Sequence, residues 1–276
     1  MSGSHGTAHE TVGWAQEALL PDQFGAGLLR VDLGEGVVAG FTTRHGGVSP
    51  APWSSLDLGT STGDDPVRVR ENRARLGAWI GAPVAFSAQV HGDGVLGLGP
   101  AELAEWSSTE PPASAGEADA MVTAEPGLAL GVLVADCVPV VLADPVARVV
   151  AVAHAGRNGV ALGVVHRVVE QLLARGARVE DLRAAVGPAV CGACYEVPAA
   201  MRDEVAAVVP ETWATTAAGT PALDLPAGVL AQLAAHGVAA TRVDRCTLTD
   251  ADLYSHRRAT AQGTTTGRQA GVVVLT

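Results

Sequence analysis

The chain has 276 residues, of which 48% are hydrophobic and 17% are charged, which is enough apolar material for one large core and too little charge for general disorder. The formal net charge of −11 argues against a nucleic-acid partner, because such binding takes most of its energy from phosphate neutralisation by Lys and Arg. All eighteen basic residues are arginines, so lysine Schiff bases, pyridoxal phosphate anchoring and a P-loop are excluded.

The first part of the chain predicts a flexible tail at residues 1–20, followed by a single domain over residues 21–276. The amino terminus lacks the basic-then-apolar order of a signal peptide, and charged residues interrupt the longest apolar runs. Four cysteines are too few for a disulfide-stapled scaffold. We therefore expect a cytoplasmic protein without membrane contact.

The predicted elements alternate between strands and helices along the chain. In chain order they are a strand at 37–42, a helix at 67–80, a strand at 84–90, a surface loop at 99–116, buried valine-rich strands at 128–134, 138–143 and 149–153, an amphipathic helix at 159–173, a strand at 182–186, helices at 198–209 and 226–236, and a strand at 272–275. This alternation predicts a single α/β domain.

Two glycine motifs match nucleotide or serine-hydrolase patterns by letter but not by context. The Gly-x-Gly-x-x-Gly run at 92–97 leads into Gly99-Pro100, where a dinucleotide-binding turn requires a helix. The Gly-x-Ser-x-Gly run at 59–63 lacks the preceding apolar strand of a nucleophile elbow. We interpret both as glycine-rich turns.

Three side chains that can hold a metal stand near the ends of predicted core strands, namely His91, Cys137 and His154. Two imidazoles and one thiolate suit zinc, and three protein ligands leave a fourth position open, as in catalytic zinc sites. Their intervals match no short metal motif. The alternative from spacing alone is a buried cysteine and two histidines that only form hydrogen bonds.

Seven groups of short motifs stand in order between residue 40 and the end of the chain. They are Thr43-Arg44-His45-Gly46-Gly47-Val48-Ser49, Gln89-Val90-His91-Gly92, Ala118-Asp119-Ala120, Ala135-Asp136-Cys137-Val138-Pro139, Ala153-His154-Ala155-Gly156, Gly187-Pro188 with Tyr195-Glu196-Val197, and Tyr254-Ser255-His256-Arg257-Arg258 with Thr266-Gly267-Arg268. In this order they resemble the laccase-domain family.

The resemblance implies one zinc ion per chain at His91, Cys137 and His154. It also implies an α/β fold of stacked mixed sheets and helices, a layered sandwich related to cysteine-hydrolase-like toxin domains. Members of this family carry three different labels: polyphenol oxidase or laccase, purine nucleoside phosphorylase with adenosine deaminase activity, and peptidoglycan editing factor.

The residue inventory argues against laccase chemistry. A multicopper oxidase needs a blue-copper Cys and His set and a trinuclear cluster built from His-x-His pairs, and this chain has eight histidines and no such pair. Copper is therefore possible in vitro but is not the expected native metal.

We accordingly expect a zinc enzyme that acts on purine nucleosides, by phosphorolysis of adenosine, inosine or methylthioadenosine and by deamination of adenosine. Phosphate requires a cationic fork, and the candidates are Arg44 on its glycine loop and Arg157 just after His154. The alternative for either is an ordinary surface ion pair. The expected partners are a nucleoside and phosphate, and the chain is expected to be a monomer or weak dimer.

Three further side chains are candidates for roles beside the metal. Cys137, Arg44 and Asp136 are the candidate catalytic residues, and Asp136 could orient a ligand imidazole or act as a base. His45 and Asp119 are candidate substrate contacts. The alternative for Asp119 is a carboxylate that caps a turn, and the alternative for His45 is a residue that closes its loop.

The chain departs from the family pattern at several places. Asp57 stands where many members have Asn, Arg157-Asn158 follows His-Ala-Gly where many have Trp-Arg, and His256 replaces a tyrosine, which puts base stacking there in doubt. Cys194 alone of the Cys191-x-x-Cys194 pair falls on a family cysteine. We assign that pair no role and place Cys246 in the core.

Two other classes of function stay open. In a cysteine hydrolase or amidase, Cys137 would be the nucleophile and His154 or His91 its base, which fits the peptidoglycan-editing label. A regulatory module would bind nucleosides without turnover. Metal content and alkylation of Cys137 separate the first from a zinc enzyme.

Overall fold

Two mixed β-sheets are stacked in the middle of the molecule, in a computed structural model that describes residues 27–108 and 113–276. The predicted tail at residues 1–20 and the domain start at residue 21 lie outside the described residues. The strands are β1 Leu28–Val31, β2 Val37–Thr42, β3 Val84–Phe86, β4 Val95–Leu98, β5 Ala120–Thr123, β6 Ala129–Val134, β7 Val138–Asp144, β8 Val149–Ala155, β9 Arg183–Val186, β10 Trp213–Thr215, β11 Pro221–Leu223, β12 Ala239–Arg242 and β13 Gln269–Leu275.

Helices cover the outer face of each sheet. They are α1 Pro66–Ile80, α2 Pro100–Ser108, α3 Arg157–Leu162, α4 Val164–Leu173, α5 Ala199–Val208, α6 Leu225–Ala235 and α7 His256–Ala261, with a short 3-10 turn at Pro210–Thr212. Asp65 caps α1, because its side chain accepts a hydrogen bond from the Val67 N–H.

The strand orders explain how distant segments meet. One sheet has the order β1-β2-β13-β6-β3, the other has the order β12-β9-β7-β8-β5-β4, and β10 and β11 form a separate hairpin. Most neighbours are antiparallel, whereas β3 with β6, β4 with β5, and β9 with β12 are parallel.

Side-chain alternation along β7 and β8 builds two of the three cores. In β7, Val140 and Leu142 join the core beneath α4 and α6, while Val141 and Ala143 point into the core between the sheets. Because both faces of this sheet are covered, these strands lack any polar face. The third core packs α1 against the five-stranded sheet.

The layered α/β architecture of mixed sheets and helices confirms the predicted fold class, and three local predictions need correction. The predicted helix at 159–173 is split at Gly163, which adopts a left-handed φ of 85° between α3 and α4. The predicted loop at 99–116 contains α2, which starts at Pro100, a residue whose fixed φ suits the first helical turn. The strand predicted at 84–90 ends at Phe86.

No helix in the described ranges 27–108 and 113–276 is long and apolar enough to cross a bilayer.

Candidate metal centre

Three segments from both sheets bring His91, Cys137 and His154 together. His91 lies in the loop between β3 and β4, Cys137 directly precedes β7, and His154 is the penultimate residue of β8. Since β7 and β8 are antiparallel with Pro139 opposite His154, Cys137 is held close to that histidine. The donor atoms of the three side chains lie within 4.8 Å of one another, and His91 Nε2 is 3.9 Å from Cys137 Sγ.

Only His154 of these three lies inside a strand, so the prediction that each ligand stands at a strand end was too simple. Cys137 belongs to the short connection between β6 and β7, and His91 follows a loop that leaves β3 at Phe86. Gln89 fixes that loop, because its side-chain amide donates to the Leu133 carbonyl at 2.8 Å and accepts from the Leu133 N–H at 2.7 Å.

Asp119 orients two of the three ligands from behind. Its carboxylate is fully buried and accepts from His154 Nδ1 at 2.7 Å, which leaves the Nε2 atom of His154 directed to the cluster. It also accepts the backbone N–H groups of Val90, His91 and Gly92 at 3.1, 2.9 and 2.7 Å. Both carboxylate oxygens are thus used inside the protein, on the side away from solvent.

Backbone strain is concentrated beside the ligands. His91 has a φ of 62° and Asp136 has a φ of 100°, in a region that costs a non-glycine residue on the order of 1–3 kcal/mol. Asp136 is held there by hydrogen bonds from the Thr247 hydroxyl and the Arg257 N–H, both at 2.7 Å, and by the Val190 N–H to its carbonyl. Because Asp136 directly precedes Cys137, these hydrogen bonds also fix the backbone position of Cys137.

The electrostatics of the centre favour a thiolate beside an imidazolium. Burial opposes ionisation of Cys137, but the charges of His154 and His91 and their hydrogen bonds lower the pKa of the thiol to about 6. Burial likewise opposes protonation of His154, but the thiolate and the Asp119 carboxylate raise the pKa of that histidine to about 9. The cluster therefore holds a deprotonated sulfur at neutral pH.

We expect alkylation of Cys137 by iodoacetamide in the metal-free protein to rise with pH around about 6, well below the ordinary cysteine range. Because the pKa is lowered, the reactive thiolate predominates above that pH and the unreactive thiol predominates below it. Mass spectrometry of tryptic peptides after timed alkylation measures the profile. A midpoint near 8 or above would contradict the geometry, and the other cysteines provide the internal comparison.

The space around the cluster is consistent with a bound ion. A Cβ atom at Gly156 would lie 2.9 Å from His91 Cδ2 and 3.3 Å from Cys137 Sγ, so the absence of a side chain there leaves room for the ligands to close on a cation. One thiolate and two imidazoles are also ligands that zinc prefers. Among the described residues this triad is one of two groups that can hold a metal ion.

A cavity of about 520 Å³ opens in front of the triad, a size suited to a small organic ligand. The three side chains of the triad line it, and so do Arg73, Arg268 and His256, together with residues 60–62 from the glycine turn at 59–63. A larger cavity of about 810 Å³ lies along α1 and has no histidine or cysteine in its lining.

Several predicted substrate contacts are placed away from the lining of this cavity. Arg44 donates through Nε to the Ser54 carbonyl at 2.6 Å and lies over the Tyr254 ring at 5.0 Å. His45 Nε2 is 2.8 Å from the Asp252 carboxylate at the surface. Both residues stabilise their own loop, which was the alternative for His45, and neither is brought to the triad.

Arg157 is the first residue of α3, three residues after His154. Its charge lowers the pKa of Tyr195, which burial and the neighbouring Cys137 thiolate raise overall. The Arg257 guanidinium stacks on the same tyrosine at 4.6 Å. Arg157 and Arg257 thus both act on Tyr195, and neither lines the 520 Å³ cavity.

Sequence reasoning missed the two arginines that do line the cavity. Arg73 is in α1, where burial lowers its pKa to about 10, so it stays charged at neutral pH. The backbone N–H of Arg268 is held by Asp57, which also accepts the Gly59 N–H. The Thr-Gly-Arg motif was a signal for Arg268, whereas Arg73 in a helical pattern offered none.

Comparison with known proteins agrees with the motif pattern. Purine nucleoside phosphorylase ORF3 of Streptomyces griseus is 51% identical over 85% of this chain and 93% of that protein. Purine nucleoside phosphorylase Rv2149c of Mycobacterium tuberculosis is 50% identical over 84% and 89%.

Solved structures are similar over almost the whole chain. YlmD from Geobacillus stearothermophilus has a TM-score of 0.82 and 32% identity, and covers 94% of this chain and 99% of its own. The Bacillus licheniformis hypothetical protein YfiH has a TM-score of 0.82 and 29% identity, with coverage of 91% and 97%. The family model described as multi-copper polyphenol oxidoreductase laccase matches residues 38–276. The chain therefore belongs to the multi-copper polyphenol oxidoreductase laccase family.

Proposed function

We propose that this protein is a zinc-dependent purine nucleoside phosphorylase that also deaminates adenosine. The observation that carries the proposal is the meeting of the His91, Cys137 and His154 triad with two cavity-lining arginines in one space of about 520 Å³. The relatives named purine nucleoside phosphorylase, at 50% identity and above, support the same choice of substrate.

The triad is the proposed zinc site of the reaction and holds one ion in each chain. When bound, zinc supplies a Lewis acid and lowers the pKa of a water molecule in its open fourth position. Asp119 keeps the proton of His154 on Nδ1. It also accepts the backbone N–H of His91, which keeps the second imidazole in position. Asp136, a candidate base from the sequence, is proposed instead to position Cys137, since both its carboxylate oxygens accept hydrogen bonds.

Arg268 is the proposed phosphate contact, with Arg73 as its partner. Their guanidinium groups donate to backbone carbonyls, those of Thr266 and Gly267 for Arg268 and those of Leu58 and Ala113 for Arg73. Within the described part of the chain, neither forms an ion pair with a carboxylate. The Asp57 carboxylate acts on Arg73 electrostatically, and the two cations beside hydroxyl-bearing residues suit a dianion. Arg157 remains a second candidate, whereas Arg44 is engaged with its own loop.

Replacement of Arg268 by alanine is expected to raise the KM for phosphate by about 10- to 100-fold, the effect of losing about 1.5–3 kcal/mol of charge-assisted hydrogen bonding. The backbone N–H to Asp57 is retained, so the loop stays in place. Initial rates of phosphorolysis at varied phosphate measure the change. Arg175→Ala, which removes an exposed side chain bonded to Gln171, is the matched control, and equal phosphate KM values in the two variants would contradict the assignment.

A cysteine hydrolase is the second candidate, because Asp119, His154 and Cys137 also stand in the order of a catalytic triad. Asp119 orients His154 at 2.7 Å and the histidine interacts with the Cys137 thiol. In that enzyme Cys137 would be free and alkylatable in the protein as isolated, whereas zinc ligation shields it.

Metal analysis combined with adenosine turnover tests the proposed function. We expect the purified protein to contain zinc at the triad. From adenosine it should form adenine when phosphate is present, and inosine with or without phosphate. A metal-free protein with rapidly alkylated Cys137 and no nucleoside turnover would overturn the phosphorylase in favour of the hydrolase. Tight nucleoside binding without any product would instead indicate a binding module.

A further inference from the structure

The other three cysteines form a second cluster, away from the His91, Cys137 and His154 triad. The sulfur atoms of Cys191, Cys194 and Cys246 lie within 4.8 Å of one another, and each residue is half-buried and free of any disulfide. The position of Cys246 in this cluster, with part of its surface exposed, differs from the core role expected from the sequence.

Sheet topology explains why these cysteines meet. Strands β9 and β12 are parallel neighbours, so the segments that leave their carboxyl ends emerge at the same end of the sheet. The pairing continues as a parallel bridge between Ala189 and Cys246. Cys191 follows on the first segment, and a tight turn with a 2.9 Å hydrogen bond from Cys194 N–H to the Cys191 carbonyl brings the third thiol back.

The backbone around Cys246 is arranged for a thiolate. The Cys191 N–H donates to Cys246 Sγ at 3.5 Å, and the N–H groups of Leu248 and Thr249 also reach that sulfur and, against the effect of burial, lower its pKa. Burial and the adjacent thiols raise the pKa of Cys194 to about 12. Three sulfurs this close cannot all carry a negative charge unless a cation compensates them.

We propose that Cys191, Cys194 and Cys246 form a second metal site, which binds one thiophilic divalent cation of the zinc class through three thiolates. Tetrahedral Zn–S bonds of about 2.3 Å place two sulfurs about 3.8 Å apart, so the cluster needs only a small contraction. No His, Asp or Glu of residues 27–108 and 113–276 joins the three cysteines, which leaves the fourth coordination position of the cation to water. Binding displaces up to three thiol protons into solvent.

The second site would brace the first through Asp136. The Val190 N–H, next to Cys191, donates to the Asp136 carbonyl, and the Thr247 hydroxyl, next to Cys246, donates to its carboxylate. Asp136 directly precedes Cys137 in the strained connection between β6 and β7. A cation that ties Cys191 to Cys246 therefore restrains the backbone that presents Cys137.

Cadmium titration of the full-length Cys137→Ala variant isolates the second site, because that variant keeps only the three clustered cysteines. We expect a thiolate-to-cadmium charge-transfer band that saturates at one equivalent. In Cys137→Ala with Cys246→Ser, binding should weaken by at least about tenfold, the lower range for losing even an outer-shell partner. A thiol titration before each experiment verifies that the cysteines are reduced.

Absence of a saturable band while three free thiols are present, or a band unchanged by Cys246→Ser, overturns the proposal. If circular dichroism shows that the variant with Cys246→Ser is unfolded, alkylation of the Cys137→Ala variant decides the question instead. Zinc must then protect all three cysteines together, and unequal or absent protection rejects the site. None of these readouts depends on nucleoside turnover, so failure of the phosphorylase proposal leaves this test intact.

Discussion

Substitution of Cys137 by alanine is expected to abolish both metal retention at the His91, Cys137 and His154 triad and nucleoside turnover. The variant removes the only thiolate of the triad and, with it, the partner that raises the pKa of His154 to about 9. Loss of an outer-shell partner alone costs roughly 10- to 100-fold, so removal of a ligand should reduce kcat/KM by more than about 100-fold. His91→Ala is expected to have the same effect, because it removes another ligand of the same ion.

Metal analysis, product chromatography and thermal melting distinguish the explanations for that loss. His166→Ala is the matched control, since His166 in α4 contacts His236 at the end of α6, and this variant should keep both metal and turnover. A Cys137→Ala variant that retains zinc and activity within a few-fold would place the chemistry elsewhere. A variant that keeps the full zinc content of the wild type but loses all turnover would favour a nucleophilic cysteine.

Asp119→Asn is expected to lower metal affinity by about 10- to 100-fold while the protein stays folded. One oxygen of Asp119 accepts from His154 Nδ1 and the His91 N–H, and the other accepts from Val90 and Gly92. An amide must turn its NH₂ group towards one of these donor pairs. Each donor left without an acceptor costs about 1–3 kcal/mol, so the position of His91 and the orientation of His154 both loosen.

The pH dependence of this variant follows from the direction of the Asp119 shift. Burial opposes ionisation, but the hydrogen bonds from His154 and the Gly92 N–H lower the pKa of the carboxyl. Its stabilisation is therefore present above the unfolded value near 3.8 and is lost as pH falls through the folded value. The stability difference between Asp119→Asn and the wild type should shrink in acid, which urea unfolding at several pH values measures.

Asp93→Asn is the matched control for Asp119→Asn, because Asp93 lies two residues after His91 in the loop between β3 and β4 and forms an exposed ion pair with Arg167. Such a pair contributes at most about 1 kcal/mol, and metal affinity should be unchanged. Equal metal affinities for the two asparagine variants would show that Asp119 does not orient the ligands.

The strongly apolar elements were predictable, and the short ones were not. The runs that became β6, β7 and β8 are buried on both faces, so their valines dominate the pattern without any knowledge of partners. Strands β10, β11 and β12 have three or four residues each, and their pairing partners, rather than their own composition, stabilise them. A long helical pattern can also mislead, because the pattern at 159–173 continues across Gly163, where only the backbone geometry reveals a break between two helices.

The sequence by itself determined the layered α/β class, the absence of lysine chemistry, the mismatch with a four-copper oxidase and, through ordered motifs, the His91, Cys137 and His154 set. Only the tertiary structure decided that Asp119 serves two ligands from inside, that Arg268 and Arg73 rather than Arg44 line the cavity, and that Cys246 meets Cys191 and Cys194. The physical reason is that these relations join residues far apart in the chain. Their distances depend on strand order and register, which pairwise spacing along a sequence does not encode.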